Sequence, residues 1–301
     1  MATDENPGFR LGRILRIMAA TNFARLRPPE RAVVEAGPAA AAVDVSYVGH
    51  ATVLAALDGR RAIFDPVFSR RLYLTRRLVE PGIALEALPP LHLLLLTHGH
   101  HDHLDLPTLR RLPRGLPAVC SPGLGALLRR AGLRGEIVEL DWWERAEVAG
   151  FAVTAIPARH WGRRGLSLAG LGYGGFVVER AGVAVYHAGD TAYGPFFRDI
   201  SARFPRPIDV ALLPIGGYRP PSFRFVHMDP EDALRAFSDL GARYLVPIHW
   251  GTFVLSYEPP EEPPARLREL AASAGDAVAG RVHILPPGAT LRLPPSSSPA
   301  A

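Results

Sequence analysis

A short apolar run, LHLLLL at residues 91–96, leads directly into THGHHDHLD at residues 97–105. Crossing a bilayer takes about 20 apolar residues, so six predict a buried strand instead. The end of a strand places the following side chains at a sheet edge, where solvent enters. Because histidine accounts for only 11 of 301 residues, four of them in nine positions indicate a functional site and not an ordinary polar loop.

Strands and helices alternate on both sides of this motif. Segments with strand character and turn residues between them precede and follow it: VDVSYVG, TVLAAL, RAIFD, FAVTAIPA, GGFVVER, VAVYHAG, DVALLPIG and YLVPIHW. One helix is predicted from Ser121 as N-cap to Gly132, and another from Asp229 as N-cap to Gly241. The pattern predicts an α/β domain in which two sheets pack face to face with helices outside.

Three regions are expected along the chain: an N-terminal segment and linker at 1–42, a folded domain at 43–295 and a disordered tail at 296–301. Within the first region, residues 9–27 form a basic amphipathic pattern, with an apolar face of Leu11, Ile14, Leu15, Met18 and Leu26. Such a helix either lies on an anionic membrane or packs on its own domain. The sequence leaves both readings open.

The composition restricts partners and compartment only weakly. All 34 basic residues are arginine and the net charge is +5, yet the arginines are scattered and form no basic block. No nucleic-acid partner is therefore expected. Cys120, the only cysteine, cannot form an internal disulfide and is predicted to be a buried, inert thiol. We expect a cytoplasmic protein, with peripheral contact to the inner membrane face left open.

Metal-ligating residue types recur after four predicted strands. The first group is His98, His100, Asp102 and His103 in an H-x-H-x-D-H motif. Three later segments, PARHWG, HAGDTAY and VPIHWGTF, place His160, Asp190 and His249 in similar positions. Imidazole and carboxylate suit divalent transition metals, and this donor set accepts zinc, manganese and iron alike.

The order of these elements resembles the metallo-β-lactamase superfamily, from about Tyr47 to Arg266. Within it, the chain is most similar to the N-acylphosphatidylethanolamine-hydrolysing phospholipase D group and its bacterial relatives. The segments that carry the resemblance are YVGHATVL, FDPVFS, THGHHDHLDLPTLRRL, ELDWWE, PARHWG, AGDTAYGPFF, LLPIGGY, VHMDPEDA, PIHWGTF and EPPEEPP. It implies an αββα four-layer fold, with two packed mixed β-sheets flanked by helices.

The resemblance also implies a dinuclear centre of two divalent ions, zinc in the first place, with manganese and iron open. The implied ligands are His98, His100 and His160 for one ion, Asp102, His103 and His249 for the other, and Asp190 as the bridge. A metal-bridging hydroxide would then attack a phosphodiester, as in a phospholipase D. The implied substrate is a small molecule or a phospholipid.

Two further residues are assigned to the catalytic group together with Asp102 and Asp190. Asp65, in FDPV, resembles the buried aspartate of the family that orients a metal-binding imidazole. His227, just before the helix at Asp229, would contact a phosphate or protonate a leaving group, with loop packing as the alternative. His50 is a candidate to line the site, and His187 is expected to be a satisfied core histidine.

Other functions stay open at this point. They are a lactonase or esterase similar to the ascorbate-6-phosphate lactonase branch, a nuclease, and a membrane-recruited binding protein without catalysis. The chain departs from the phospholipase group in LAGLGYGG, which lacks a tryptophan ahead of the glycine pair, and in GGYRPPSFRF. Both segments are expected near the mouth of the site. A homo-oligomer is neither indicated nor excluded.

Overall fold

A computed structural model of the protein describes residues 26–164 and 170–295. Most of the predicted amphipathic segment at 9–27 and the whole predicted tail at 296–301 lie outside the described residues. In the described part of the chain, no helix is both long enough and apolar enough to cross a membrane.

Sixteen strands are present in the described residues. In chain order they are β1 Val33–Glu35, β2 Val43–Gly49, β3 Thr52–Leu57, β4 Arg60–Phe64, β5 Arg71–Leu72, β6 Thr75–Arg76, β7 Leu93–Leu96, β8 Ala118–Cys120, β9 Ile137–Glu139, β10 Arg145–Val148, β11 Phe151–Ile156, β12 Gly175–Arg180, β13 Val183–His187, β14 Val210–Pro214, β15 Tyr244–Ile248 and β16 Thr290–Leu293.

Six α-helices accompany the strands: α1 Leu106–Leu109, α2 Gly125–Ala131, α3 Phe196–Arg203, α4 Pro230–Leu240, α5 Glu262–Ser273 and α6 Asp276–Ala279. Short 3₁₀ turns cover Leu85–Ala87 and Pro221–Phe225. As predicted, α4 has Asp229 as its N-cap, whose side chain accepts from Asp232 N, and it ends at Gly241 in a left-handed conformation.

The strands form two mixed sheets and one hairpin. The larger sheet has eight strands in the order β1-β16-β2-β3-β4-β7-β8-β9, and the smaller has six in the order β10-β11-β12-β13-β14-β15. Strands β4, β7, β8 and β9 run parallel, as do β13, β14 and β15, while the other neighbours within the smaller sheet are antiparallel. Strands β5 and β6 pair only with each other.

The core occupies three interfaces, which confirms the predicted αββα layers. Side chains of both sheets meet in the central one, where Phe64 and Leu95 face residues such as Phe176 and Val178. Helices α3, α4 and α5 cover the outer face of the smaller sheet, and α1 and α2 cover that of the larger. Strand β7 has four consecutive leucines because alternate side chains enter two different interfaces.

Two sequence-based boundaries differ from the structure. The domain begins before residue 43, since β1 pairs with β16 and Ala39, within the predicted linker, is buried. Helix α2 begins at Gly125 and not after Ser121, because the Ser121 hydroxyl donates to the Thr97 carbonyl (2.6 Å) and caps no helix.

Cys120 is fully buried between the larger sheet and its helices, and burial raises the pKa of its thiol. Because only the thiolate reacts quickly, the native protein should not react with Ellman's reagent at pH 8. After unfolding in guanidinium chloride, one thiol per chain should react, consistent with the single cysteine. Rapid reaction of the native protein would contradict this placement.

Candidate metal centre

All the predicted metal ligands lie at one edge of the two sheets. They follow the carboxyl ends of β7, β11, β13 and β15, and these last three strands run in the same direction. Asp65 and His50 also follow strand ends, those of β4 and β2, at the same edge. The topology therefore gathers side chains that are up to 200 residues apart in the sequence.

The first cluster contains three imidazoles and one carboxylate. His100 Nδ1 lies 2.9 Å from His98 Nε2 and 3.1 Å from His160 Nε2. Asp190 Oδ2 lies 3.7 Å from His98 Nε2 and 3.8 Å from His160 Nε2. Ligand atoms around a tetrahedral zinc ion, with bonds of about 2.1 Å, are about 3.4 Å apart, so these four atoms suit one ion.

The second cluster shares Asp190 with the first. Asp102 Oδ2 lies 3.4 Å from His249 Nε2 and 3.8 Å from His103 Nε2. Asp190 places Oδ2 3.2 Å from His103 Nε2 and Oδ1 3.3 Å from His249 Nε2. His50 joins this cluster with Nε2 3.0 Å from Asp102 Oδ2. Asp190 is thus within reach of both groups of donors.

Asp65 fixes the orientation of one imidazole from behind. Its Oδ2 lies 2.7 Å from His103 Nδ1 and accepts a hydrogen bond from the Thr97 hydroxyl (2.6 Å). Its Oδ1 accepts from Thr97 N at 2.9 Å. Since the hydroxyl donates to Asp65, it accepts from His98 Nδ1 at 3.0 Å. Both imidazoles are thereby left with Nε2 lone pairs directed at the centre.

Backbone carbonyls orient the other histidines near the site. His160 Nδ1 lies 2.9 Å from the Val226 carbonyl, which as an acceptor leaves the lone pair on Nε2. His187 donates from Nε2 to Ala51 O (2.9 Å) and accepts from Gly189 N (3.1 Å). His187 is therefore a satisfied core histidine, as predicted, and it ties the turn before Asp190 to the turn that contains His50.

The buried donors are suited to a divalent cation. Within the described residues, His103 Nε2, His249 Nε2 and Asp190 Oδ1 are buried and make no hydrogen bond, although all three point to the same region. Buried polar atoms without partners are costly, and a bound cation would satisfy all three together. The residues therefore fit a metal centre.

The electrostatics agree with that fit. Burial alone would raise the pKa of Asp190, but His103 and His249 hold it well below its usual range. Burial lowers the pKa of His98 far below its ordinary value and that of His160 to about 3. His98 and His160 are therefore neutral beside an ionised carboxylate. Burial alone would lower the pKa of His103 and His249, but Asp190 and Asp102 raise the pKa of both, that of His249 to about 9. A cation that binds at the second cluster would therefore displace protons from these two imidazoles.

Three residues of the site adopt left-handed backbone conformations: His50 (φ 58°), Asp65 (φ 41°) and His249 (φ 60°). Such conformations are uncommon outside glycine, and they persist where surrounding structure compensates their cost. One compensation is a hydrogen bond from His249 N to His50 O at 2.8 Å. Each of these turns directs a side chain back to the metal centre.

His227 lies at the open side of the site. Its ring centroid is 5.1 Å from that of His160, and its Nδ1 is 3.9 Å from Asp190 Oδ2. A Cβ on Gly217 (φ 85°) would come within 3.1 Å of His227 Nδ1, so the ring depends on a glycine there. Glu258 holds this loop by accepting from Gly217 N at 2.6 Å.

Sequence reasoning gave His50 no role beyond lining the site, and it missed Glu258. His50 directly follows a strand, like the predicted ligands, and that position was the available signal. Three other histidines lie outside the clusters, as expected: His101 contacts Tyr73, His92 accepts from Arg61 N, and His283 packs near Tyr244. Of the four tryptophans, Trp161 contacts the site most closely, with its ring 4.3 Å from that of His100.

Comparison with known proteins assigns the chain to a family. The family model described as a beta-lactamase superfamily domain matches residues 60–250. An uncharacterised protein of Mycobacterium tuberculosis is 38% identical over 266 residues, which span 83% of this chain and 70% of that protein.

Two relatives have descriptive names. The N-acyl-phosphatidylethanolamine-hydrolyzing phospholipase D 1 of Caenorhabditis elegans is 32% identical over 251 residues, covering 77% of this chain and 70% of that protein. A UPF0173 metal-dependent hydrolase of Rubrobacter xylanophilus is 32% identical over 255 residues, covering 82% of this chain and 95% of that protein.

Solved structures share the fold. The metallo hydrolase Igni18 of Ignicoccus hospitalis matches with a TM-score of 0.64 and 26% identity, over 83% of this chain and 98% of that one. The diiron β-hydroxylase CmlA of Streptomyces venezuelae matches with a TM-score of 0.60 and 20% identity, over 85% of this chain and 54% of that one.

Removing the shared carboxylate should disrupt both clusters. We expect about two metal ions per chain in the wild type and fewer than about one in Asp190→Ala, because two nearby dications repel unless an anion lies between them. Elemental analysis after chelator-free purification measures this. Asp199→Ala, which removes an exposed carboxylate on α3, is the control and should retain the wild-type content. Equal metal content in both variants would refute the shared role of Asp190.

Asp65→Asn should weaken metal binding by about 10–100-fold without unfolding the protein, because one amide oxygen cannot replace two carboxylate oxygens toward His103 and Thr97. Competition with a chromophoric chelator measures the affinity. Asp209→Asn is a matched control, since Asp209 is a buried carboxylate that accepts from Ala184 N, away from the centre. Equal affinities in the two variants would argue against an orienting role for Asp65.

Proposed function

The chain belongs to the metallo-β-lactamase superfamily and is a metal-dependent hydrolase, and from this premise we propose that it hydrolyses phosphodiesters at a two-ion centre. One observation carries the proposal: Asp190 lies within 3.2–3.8 Å of donors from both clusters. A carboxylate shared in this way is what a pair of adjacent divalent ions needs. The name of the C. elegans relative supports a phospholipid as the substrate.

Each cluster has a defined part in this proposal. His98, His100 and His160 would hold one ion, and Asp102, His103 and His249 the other, with Asp190 shared. When bound, two divalent ions supply a water of lowered pKa and stabilise negative charge on a phosphoryl oxygen. The donor set accepts zinc, manganese and iron, and we propose zinc as the resident metal.

The remaining site residues act on the substrate or on the ligands. Asp65 keeps the His103 imidazole in one tautomer and one orientation through its contact with Nδ1. His227 presents a half-buried imidazole on the open side of the centre, and its Nδ1 atom is buried and makes no hydrogen bond. From there it would donate to a phosphoryl oxygen or to the leaving group. Trp161 and Phe223 flank the opening and provide apolar contact area for a substrate chain.

Two segments would select the substrate, LAGLGYGG and GGYRPPSFRF, in which the sequence differs from the phospholipase group. The first contains Tyr173, whose ring lies 6.4 Å from that of His160. The second runs from Gly216 through the turn Pro221–Phe225, and Phe223 packs 6.4 Å from the His227 ring. Because both segments line the approach to the centre, their composition would discriminate between headgroups while the hydrolytic residues stay the same.

The metal-loaded protein should hydrolyse bis(p-nitrophenyl) phosphate, and chelation or Asp190→Ala should lower kcat/KM at least about a hundredfold. Adding the metal back should restore activity to the chelated wild type but not to the variant. A homoserine lactone and p-nitrophenyl acetate are assayed in parallel. Hydrolysis of the lactone or ester without the diester would favour the lactonase alternative, and no turnover by a protein containing two ions would favour the binding-protein alternative.

A lipid assay then examines the finer proposal. N-acylphosphatidylethanolamine presented in mixed micelles should release an N-acylethanolamine, with phosphatidic acid as the second product. Phosphatidylcholine in the same micelles is the comparison substrate. Turnover of the soluble diester with neither lipid cleaved would restrict the proposal to non-lipid phosphodiesters.

A further inference from the structure

Exposed apolar side chains are concentrated around the metal centre. Eight large hydrophobic side chains in the described part of the chain are solvent-exposed, and seven of them border the opening of the site. We call these seven the apolar rim: Tyr73, Leu74, Trp142, Trp161, Phe223, Phe225 and Leu255. The eighth, Val33, lies on β1 at the edge of the larger sheet. Exposed apolar side chains gathered around one opening point to an interaction surface.

The position of the rim follows from its contacts with residues of the metal centre. Trp161 lies over His100, and Phe225 directly precedes Val226, whose carbonyl contacts His160. Leu255 lines a small cleft that also contains His50 and His249. Trp142 donates to the Tyr173 carbonyl at 2.7 Å, and the ring of that tyrosine faces His160. The rim therefore surrounds the opening.

The two most exposed members form the tip of the β5–β6 hairpin. Tyr73 is 71% exposed and Leu74 is 75% exposed. The hairpin is anchored at its base, because the buried guanidinium of Arg77 donates to the carbonyls of Val67 and Ser69. The Tyr73 hydroxyl contacts the His101 imidazole, within the motif that carries the ligands. The tip is thus an exposed apolar projection held against the metal centre.

Basic residues flank this tip. Residues 66–79 contain no aspartate or glutamate, and Arg70 and Arg71 precede the tip while Arg76 follows it. Arg70 and Arg71 are exposed, and Arg76 is half-buried. An apolar projection flanked by positive charge suits the interface of an anionic bilayer, where apolar side chains enter the acyl boundary and arginines face the headgroups.

We propose that the apolar rim, led by the β5–β6 hairpin, docks the protein on the surface of an anionic phospholipid bilayer. Docking in this orientation would turn the metal centre toward the membrane, so that a lipid headgroup reaches it without the whole lipid leaving the bilayer. The benefit to catalysis rests on the proposed phospholipid substrate, whereas the docking itself does not. The rim shares no residue with the basic amphipathic pattern at residues 9–27.

Co-sedimentation of the metal-loaded, full-length protein with vesicles tests the docking surface. One set of vesicles is phosphatidylcholine alone. The other contains about 30% phosphatidylglycerol in phosphatidylcholine, which gives a strongly anionic surface. The wild type should bind the anionic vesicles more tightly, and less so as salt is raised. Leu74→Ser combined with Phe225→Ser should weaken that binding about tenfold or more, because both side chains are largely exposed in the free protein.

Val33→Ser is the matched control, since it removes an exposed apolar side chain from β1, away from the rim. It should bind like the wild type, and all variants should retain the wild-type metal content and thermal midpoint. A tryptophan replacement, Leu74→Trp, adds a second readout: on anionic vesicles its emission should shift to the blue by more than that of the wild type, to which the rim residues Trp142 and Trp161 contribute, while Val33→Trp should shift no more than the wild type.

Three outcomes would overturn the proposal. The first is equal vesicle binding by the rim double variant and the wild type. The second is loss of binding in Leu11→Ser/Leu15→Ser alone, which would place the contact in the N-terminal segment. The third is a wild-type dimer that ignores vesicles and dissociates in the double variant, which would make the rim an interface between two copies. Bis(p-nitrophenyl) phosphate hydrolysis by the wild type tests the proposed function separately.

Discussion

A single buried carboxylate, Asp190, organises the functional edge of this protein. It lies between six imidazoles and Asp102, and its negative charge is what makes a buried arrangement of so many donors tolerable. A charge removed from water is costly unless it is compensated on several sides. The neighbouring imidazoles provide that compensation in part, and the unsatisfied atoms of His103 and His249 mark where a cation would complete it.

The fold supplies this arrangement through parallel strand ends. Strands of both sheets finish at one edge, and the residues that follow them turn sharply back over the centre. At Asp65 and His249 the turn requires a left-handed backbone, whose cost the buried hydrogen bonds around it offset. Rigid strands and strained turns together position the donors more precisely than loops alone would do.

Much of this follows from the sequence because the signals are local. The leucine run of β7 predicts a strand covered on both faces, and the H-x-H-x-D-H motif after it predicts donors at a sheet edge. The cap at Asp229 likewise predicts α4 correctly. Where the sequence misled, a long-range contact decided the outcome: Ser121 bonds the Thr97 carbonyl, and β1 pairs with β16, more than 250 residues away. The part that His50 plays depends on packing against His249 and is likewise invisible in any short segment.

The residues that would hold the metal ions and the residues that would contact the substrate lie on different parts of the structure. The donor clusters sit on strand ends and Asp65 supports them from the buried side. The loop at the opening that contains Val226 orients His160 through a backbone carbonyl, a contact that does not depend on the rim side chains. The rim side chains come from the loops that form the opening and from the β5–β6 hairpin, which lies outside both sheets. A change in the rim can therefore alter which molecule or surface approaches without disturbing the donors. Relatives with the same centre are then free to act on different substrates, because approach and hydrolysis depend on different residues.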